Sequence, residues 1–266
     1  MTFTSHLDGS PQRLTPERAI EVQELLGADI AMAFDEPVDP MLPRTTVAAA
    51  MARTHRWAAR CLLARSREDQ ALFGIVQGGV DPALRRESAA MIASLPFDGI
   101  AIGGLSVGET REQMSDALEV VADALAADAR VRYLMGVGSP LDFFIAVEHG
   151  VDLFDCVLPT RVARNGQVWT REGKLNIRNS RFQDDPAPLD AECSCEACTN
   201  HSRAYLAHLF RSAELLAYRL ATVHNVTYTL DLMRAIRAGL ADGSYASVRN
   251  AVEARYVSAG RVLSRR

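Results

Sequence analysis

The chain has 266 residues, 48% of them hydrophobic and 23% charged, with a formal net charge of −4. These are ordinary proportions for a globular protein with a sizeable core. No apolar run approaches the ~18 residues of a membrane span, and the first nine residues are unlike a signal peptide, so no membrane association is expected and the expected compartment is the cytoplasm. Five cysteines, an odd number, argue against a disulfide framework.

In chain order, Thr15-Pro16 opens a helix with a usable apolar face (Ile20, Val22, Leu25, Leu26), and Gly27 is placed to stop it. Residues 29–34 (DIAMAF) form a short, nearly all-apolar run, as expected of a strand buried on both faces. It ends in Asp35-Glu36-Pro37. After a Pro-rich loop, a helix is predicted over residues 46–65, with Cys61 as a small buried hydrophobe. The pattern then repeats. A strand over residues 71–76 ends in Gln77-Gly78-Gly79, and Asp81-Pro82 opens the next helix. A strand over residues 100–105 precedes a helix whose Thr110-x-x-Gln113 reads as a capping box. A strand over residues 133–137 precedes a helix opened by Ser139-Pro140, and a strand over residues 151–158 closes at Pro159. Five strands alternating with helices indicate a parallel α/β fold. No G-x-G-x-x-G fingerprint opens a helix, which favours a (β/α)8 barrel over a doubly wound sheet. Residues 220–224 (LATVH) offer a sixth strand. Eight are not found, so the barrel is expected to be incomplete at its N-terminus.

Polar and glycine residues follow the strands, which is where a barrel carries its chemistry. The stretch DLFDCVLPTRVARNGQ is the densest of them: Asp155 stands near the end of an apolar strand, and Arg161 and Arg164 follow on a turn without acidic neighbours. A carboxylate nucleophile beside arginines suits an anionic substrate. Arg161, Arg164, Arg171, Lys174, Arg178 and Arg181 face only Glu172 between residues 160 and 182, a basic stripe of the kind that meets nucleic acid. Residues 167–170 and 174–178 flank Glu172-Gly173 as a hairpin. Cys193-x-Cys195-x2-Cys198 then supplies three close thiolates, and one of His201, His208 or His224 can complete a tetrahedral, structural zinc site. The expected organisation is a barrel portion over residues 1–159, a zinc-binding insertion with a hairpin over 160–210, and a last barrel strand with helices over 211–266.

These stretches together resemble bacterial tRNA-guanine transglycosylases (queuine tRNA-ribosyltransferases): MAFDE at 32–36, FGIVQGG at 73–79, AIGGLSVGE at 101–109, RYLMGVGSP at 132–140, DLFDCVLPTRVARNG at 152–166, CSCEAC at 193–198 and VHN at 223–225. The resemblance runs along nearly the whole chain in the family's order. It implies a (β/α)8 barrel with an inserted zinc-binding subdomain, usually a homodimer. The implied reaction exchanges guanine at the wobble position of GUN-anticodon tRNAs for the 7-aminomethyl-7-deazaguanine precursor of queuosine. By resemblance Asp155 is the nucleophile that forms a covalent ribosyl intermediate. Asp35, Gln77, Gly104 and Leu105 read the base edge, Met135 packs on the base, and Arg161 and Arg164 hold the tRNA backbone. The implied zinc ligands are Cys193, Cys195, Cys198 and His224. The family's other catalytic aspartate sits in an upstream Ser-Gly-Gly-Phe-Gln segment with no counterpart in these residues, and Pro37 stands where bacterial members usually have Cys. Val107 matches the bacterial pattern for the aminomethyl precursor. A non-catalytic or truncated tRNA-binding accessory subunit of the same family is the alternative. A metal-dependent barrel hydrolase is a weaker one, since no histidine stands at the ends of the first five strands.

Overall fold

The computed structural model describes residues 1–263, with side chains through Tyr256. Two compact units divide the chain, one made of residues 1–137 and 145–155, the other of residues 138–144 and 156 onward.

The first unit opens with a small antiparallel pair, β1 (Thr2–Thr4) and β2 (Pro11–Arg13). Helix α1 (Pro16–Leu26) is capped as its sequence predicts. Thr15 accepts a hydrogen bond from the Arg18 N–H at 3.2 Å, and Gly27 ends the helix in the left-handed region at φ 71°. Next come β3 (Ile30–Met32), α2 (Arg44–Ala64), β4 (Ala71–Val76), α3 (Pro82–Ala93), β5 (Gly99–Ile102), α4 (Arg111–Ala124), β6 (Val131–Leu134), α5 (Pro140–Glu148), whose residues 140–144 are counted in the second unit, and β7 (Leu153–Phe154). The Asp81 side chain caps α3 by accepting from the N–H groups of Ala83 and Leu84, and the Thr110/Gln113 capping box starts α4.

The five strands β3 to β7 form one parallel sheet in strictly sequential order. Right-handed crossovers in one direction put all connecting helices on one face. That is the winding of a barrel wall, whereas a doubly wound sheet reverses direction. Strand β5 is buried throughout, and β4 from its second residue on. Ile75, Val76, Ile100, Ala101 and Ile102 are each no more than 1% exposed, consistent with side chains covered on both faces. Parallel winding places every βα loop at the same end of the sheet, and this is what gathers the polar residues that follow the strands.

One prediction fails at the sheet's last strand. Residues 151–158 do not run on as a strand to Pro159; β7 is two residues long, and Pro159 lies in the first turn of a helix, α6 (Leu158–Arg164). Proline's fixed φ suits that turn as well as it suits the end of a strand. Arg161 and Arg164 are therefore helical residues of the last turn.

In the second unit α6 is followed by a hairpin where the sequence predicts one, β8 (Gln167–Thr170) and β9 (Gly173–Asn176), but with Thr170 opposite Gly173, so that the turn is Arg171-Glu172 and Gly173 already belongs to the strand. Then come α7 (Glu196–Asn200), α8 (Arg203–Arg211), α9 (Leu215–Asp242) and α10 (Tyr245–Leu263). The expected strand at residues 220–224 lies inside α9. Three apolar residues in a window of five do not separate a strand from a buried helix segment. Over the longer window the buried positions Ala217, Leu220, Ala221, His224, Tyr228, Leu232 and Ile236 recur every three or four residues, a helical period. This unit's core includes Val168, Trp169, Ile177, Phe182, Leu189, Leu206, Phe210 and Leu220 around the three clustered cysteines.

Candidate active site and metal centre

Asp155 follows β7 at the C-terminal end of the sheet. Its Oδ1 accepts two hydrogen bonds, from the Tyr133 hydroxyl and from the Gly136 N–H, each at 2.7 Å. Its Oδ2 has no partner among the described residues, and the side chain is exposed. One oxygen is thus fixed and the other open, the disposition of an oriented nucleophile. Tyr133 lies on β6; burial, then the hydrogen bond to Asp155, push its phenol far above the ordinary range, so it stays a donor.

At the ends of β3 and β4, Gln77 Nε2 donates to Asp35 Oδ2 at 2.6 Å. Gln77 is 4% exposed, and its backbone N–H donates to Ser88 Oγ at 3.0 Å, which in turn lies 2.9 Å from His55 Nε2. Burial raises the Asp35 carboxyl above its ordinary 3.8, against the lowering effect of the Gln77 bond. Asp35 Oδ1 and the second amide hydrogen of Gln77 are uncommitted among the described residues. At the end of β5, Gly104 sits at φ 65°, and a Cβ there would stand 2.4 Å from Gln77 Oε1. The glycine supplies both the left-handed backbone and the room for the amide. Gly78 serves a related need, since a Cβ on it would stand 2.8 Å from the Arg85 backbone nitrogen at the start of α3.

Leu105 is buried and Met135 half-buried, its N–H donating to the Ile102 carbonyl at 3.2 Å. Beyond Leu105, Ser106 takes a positive φ of 64°. The Glu109 carboxylate accepts from the N–H groups of Ser106 and of Val107, the latter at 3.0 Å, and so holds that strained turn. Asp35, Gln77, Gly104, Leu105, Met135 and Asp155 therefore all lie in the first unit, each at or just past a strand end.

In the second unit, one ligand atom from each of Cys193, Cys195, Cys198 and His224 lies within 4.8 Å of the others. His224 Nδ1 is 3.5 Å from Cys195 Sγ and 3.3 Å from Cys198 Sγ, while Nε2 is 2.8 Å from the Trp169 carbonyl oxygen. A hydrogen on Nε2 donated to that carbonyl leaves the Nδ1 lone pair facing the thiols, the usual arrangement behind a metal-bound histidine. The hydrogen bond from Cys198 lowers Cys195, and the same contact drives Cys198 up, so the thiolate of the pair is held on Cys195. The donor set and spacing fit a closed tetrahedral zinc site of the structural kind. His201, stacked on Tyr205 at 4.9 Å, and the exposed His208 stand outside the cluster.

A family model described as queuine tRNA-ribosyltransferase matches residues 1–258. The chain belongs to that family. It is 54% identical over 247 residues to a queuine tRNA-ribosyltransferase of Herpetosiphon aurantiacus, covering 93% of this chain and 63% of the relative. Identity is 52% over 243 residues to that of Moorella thermoacetica and 53% over 246 residues to that of Cereibacter sphaeroides, each match covering 91% of this chain and 65% of the relative. The chain thus spans a little under two thirds of the length of these relatives. The (β/α)8 fold of the queuine tRNA-ribosyltransferase family accounts for the sequential parallel sheet.

Arg161 and Arg164 belong to the second unit, exposed and without an ion pair among the described residues; Lys174, Arg178 and Arg181 are likewise exposed and unpaired there. Arg171 does not belong to the stripe the sequence suggests, because Asp190, Glu192 and Asp231 lie 3.3, 3.6 and 3.7 Å from its guanidinium. Four further residues that organise these sites were not singled out in the sequence. Tyr133 carries no signal beyond a strand aromatic. Arg85 and Ser88 sit on the buried face of α3 with Leu84, Ala89 and Ile92, and a charged residue in that helical register was the available clue. Asn225, fully buried, accepts from the Trp169 N–H and donates to the carbonyls of Pro159 and Gln167, tying α9 to the hairpin beside His224.

Proposed function

We propose that this chain carries the base-exchange site of a tRNA-guanine transglycosylase, replacing guanine at the wobble position of GUN-anticodon tRNAs with 7-aminomethyl-7-deazaguanine. The observation that carries the reading is Asp155, held through one oxygen by Tyr133 and Gly136 with the other open. Asp155 Oδ2 adds to ribose C1′ as the C1′–N9 bond breaks, and guanine leaves with the electron pair and takes a proton from solvent water. In the return step N9 of the incoming base gives up its proton to solvent water, its lone pair displaces the Asp155 ester from C1′, and the carboxylate is restored. Carboxylates handle such oxocarbenium-like transition states in two steps. The base must leave the stack to be reached. Asp35 then accepts from the N–H groups of its edge, Gln77 and the Gly104–Leu105 backbone donate to O6, and Met135 packs on its face. Arg161 and Arg164 meet the tRNA backbone. Zinc held by Cys193, Cys195, Cys198 and His224 supplies structure to the second unit and takes no part in the chemistry. A homodimer acting in the cytoplasm completes the proposal.

The test is incorporation of labelled guanine into unmodified GUN-anticodon tRNA, with Asp155→Asn beside the wild type. Incorporation by the wild type that disappears in the variant, with tRNA binding kept, supports the reading. Binding of tRNA without incorporation by either protein favours the non-catalytic accessory subunit instead.

A further inference from the structure

Arg85 is the one arginine of the chain with no exposed surface among the described side chains, and no carboxylate hydrogen-bonds to it. Its guanidinium spends every contact on backbone carbonyls: Nε on Gly79 at 2.6 Å, Nη1 on Gly103 at 2.8 Å and Val76 at 3.3 Å, and Nη2 on Gly104 at 3.2 Å. A buried charge is costly unless something specific requires it, and a neutral residue could fill the same space. What distinguishes this site is which carbonyls are taken. In a trans peptide the C=O of one residue and the N–H of the next point in opposite directions. Holding the Gly103 and Gly104 carbonyls toward Arg85 therefore turns the Gly104 and Leu105 N–H groups away from it. Neither of these N–H groups has a hydrogen-bond partner among the described residues, and the Gln77 amide lies against the same glycine. The remaining two carbonyls, of Val76 and Gly79, bracket Gln77 itself. One cation thus fixes the backbone on both sides of an amide side chain and leaves two adjacent N–H donors free beside it, the form of an anion- or carbonyl-binding nest.

Resting on the base-exchange reading above, we propose that Arg85 is a positioning residue for base selection: it orients the Gly103–Gly104 and Gly104–Leu105 peptides so that their N–H groups, with Gln77, grip the 6-oxo group of the purine. It touches neither base nor ribose. Its positive charge, relayed through two polarised peptides, also favours the electron density that moves onto O6 as the base departs.

The experiment compares binding of guanine and of 6-thioguanine, which keeps the other edge groups but offers a weaker acceptor at position 6, to wild type, Arg85→Lys and Arg85→Met, all as the full zinc-loaded chain. The wild type is expected to prefer guanine by ~10-fold or more, about one good hydrogen bond. In Arg85→Lys the preference falls to within about threefold while tRNA affinity, zinc content and melting temperature hold. In exchange kinetics the loss appears in KM for guanine, and kcat is reduced less. A residue that merely fills space weakens both bases equally, so an unchanged guanine preference in a folded variant overturns the inference. A second measurement needs no variant: the Arg85 Nε–H resonance of the wild type shifts on adding guanine and much less on adding 6-thioguanine, and equal shifts overturn it too. Wild-type protein that binds neither base removes the base-exchange reading and this inference together, whereas guanine binding without a change of preference removes only the latter.

Discussion

Asp35 and Asp155 are both carboxylates at strand ends, but their surroundings differ in kind. Asp155 is exposed and held by two donors through one oxygen. Replacing Tyr133 by Phe removes one of them. Gly136 still holds the same oxygen, so the carboxylate keeps its place but swings more freely, and formation of the covalent tRNA–protein adduct slows by ~10-fold at unchanged tRNA affinity, measured by single-turnover trapping. Asp35 is instead raised by burial. Ionised, it offers both oxygens as acceptors, and protonation turns one into a donor, so guanine affinity falls as pH drops through its raised pKa, and this acid limb lies above the ordinary 3.8. The stability consequence has the opposite sense. A folded-state pKa above the unfolded one means that the fold favours the protonated acid. Its contribution is fully present below the unfolded pKa and is lost as pH rises through the folded one. Asp35→Asn has no such ionisation and should gain on the wild type in urea midpoint across that window, keeping the gain at neutral pH. Equal midpoints at every pH would show that Asp35 carries no burial penalty. These environments were invisible in the sequence, which offers two aspartates after two apolar runs and nothing about what surrounds each.

At the scale of elements, the caps were the most legible feature. Thr15, Asp81 and the Thr110/Gln113 box all act where their spacing predicts, because a cap is decided by residues three apart. Strand extents were less legible. Residues 151–158 carry a strand's composition, yet pairing with β6 ends at Phe154. The next residue turns to Tyr133 and Gly136, and neither partner is local. Residues 220–224 failed for a related reason, the short window hiding a helical period. The metal ligands show the opposite case. Three cysteines in six residues announce the site, but the histidine is chosen by α9, which carries His224 back against the hairpin, while nearer His201 and His208 point elsewhere. With the four candidate ligands drawn from α7, its approach and α9, and with His224 bonded to the Trp169 carbonyl, the Cys3His cluster and the hairpin form one structural element. Chelation is therefore expected to release about one zinc per chain, to change the near-ultraviolet circular dichroism of buried Trp169 and to lower the melting temperature by several degrees. His224→Ala should reproduce the loss without chelator. Unaltered tryptophan signals after complete zinc removal would separate the metal from the fold of this unit.

Over the whole molecule the charge balance is acidic, −4, and gives no hint of a polyanionic partner. The arrangement is local. Many of the chain's other arginines are ion-paired, as Arg44, Arg60, Arg65 and Arg130 are to Asp81, Glu17, Asp98 and Asp128, whereas Arg161, Arg164, Lys174, Arg178 and Arg181 of the second unit remain exposed and unpaired among the described residues. An unpaired cation is free to replace a condensed counterion on a phosphate, and each such replacement adds a little under one to the slope of log affinity against log salt. The two sites then separate experimentally. Arg161→Ala with Arg164→Ala should weaken tRNA binding at low salt and flatten the salt dependence by about 1.5 to 2 in slope. Guanine is a neutral base held by edge contacts of the first unit, so its binding should keep its affinity in that double variant and show little salt dependence. Asp35→Asn should do the reverse, losing guanine and keeping the slope for tRNA. A double variant with an undiminished salt slope would show that these arginines do not meet phosphates, and the polyanion would then have to be held by Lys174 of the hairpin or by Arg178 and Arg181 beyond it.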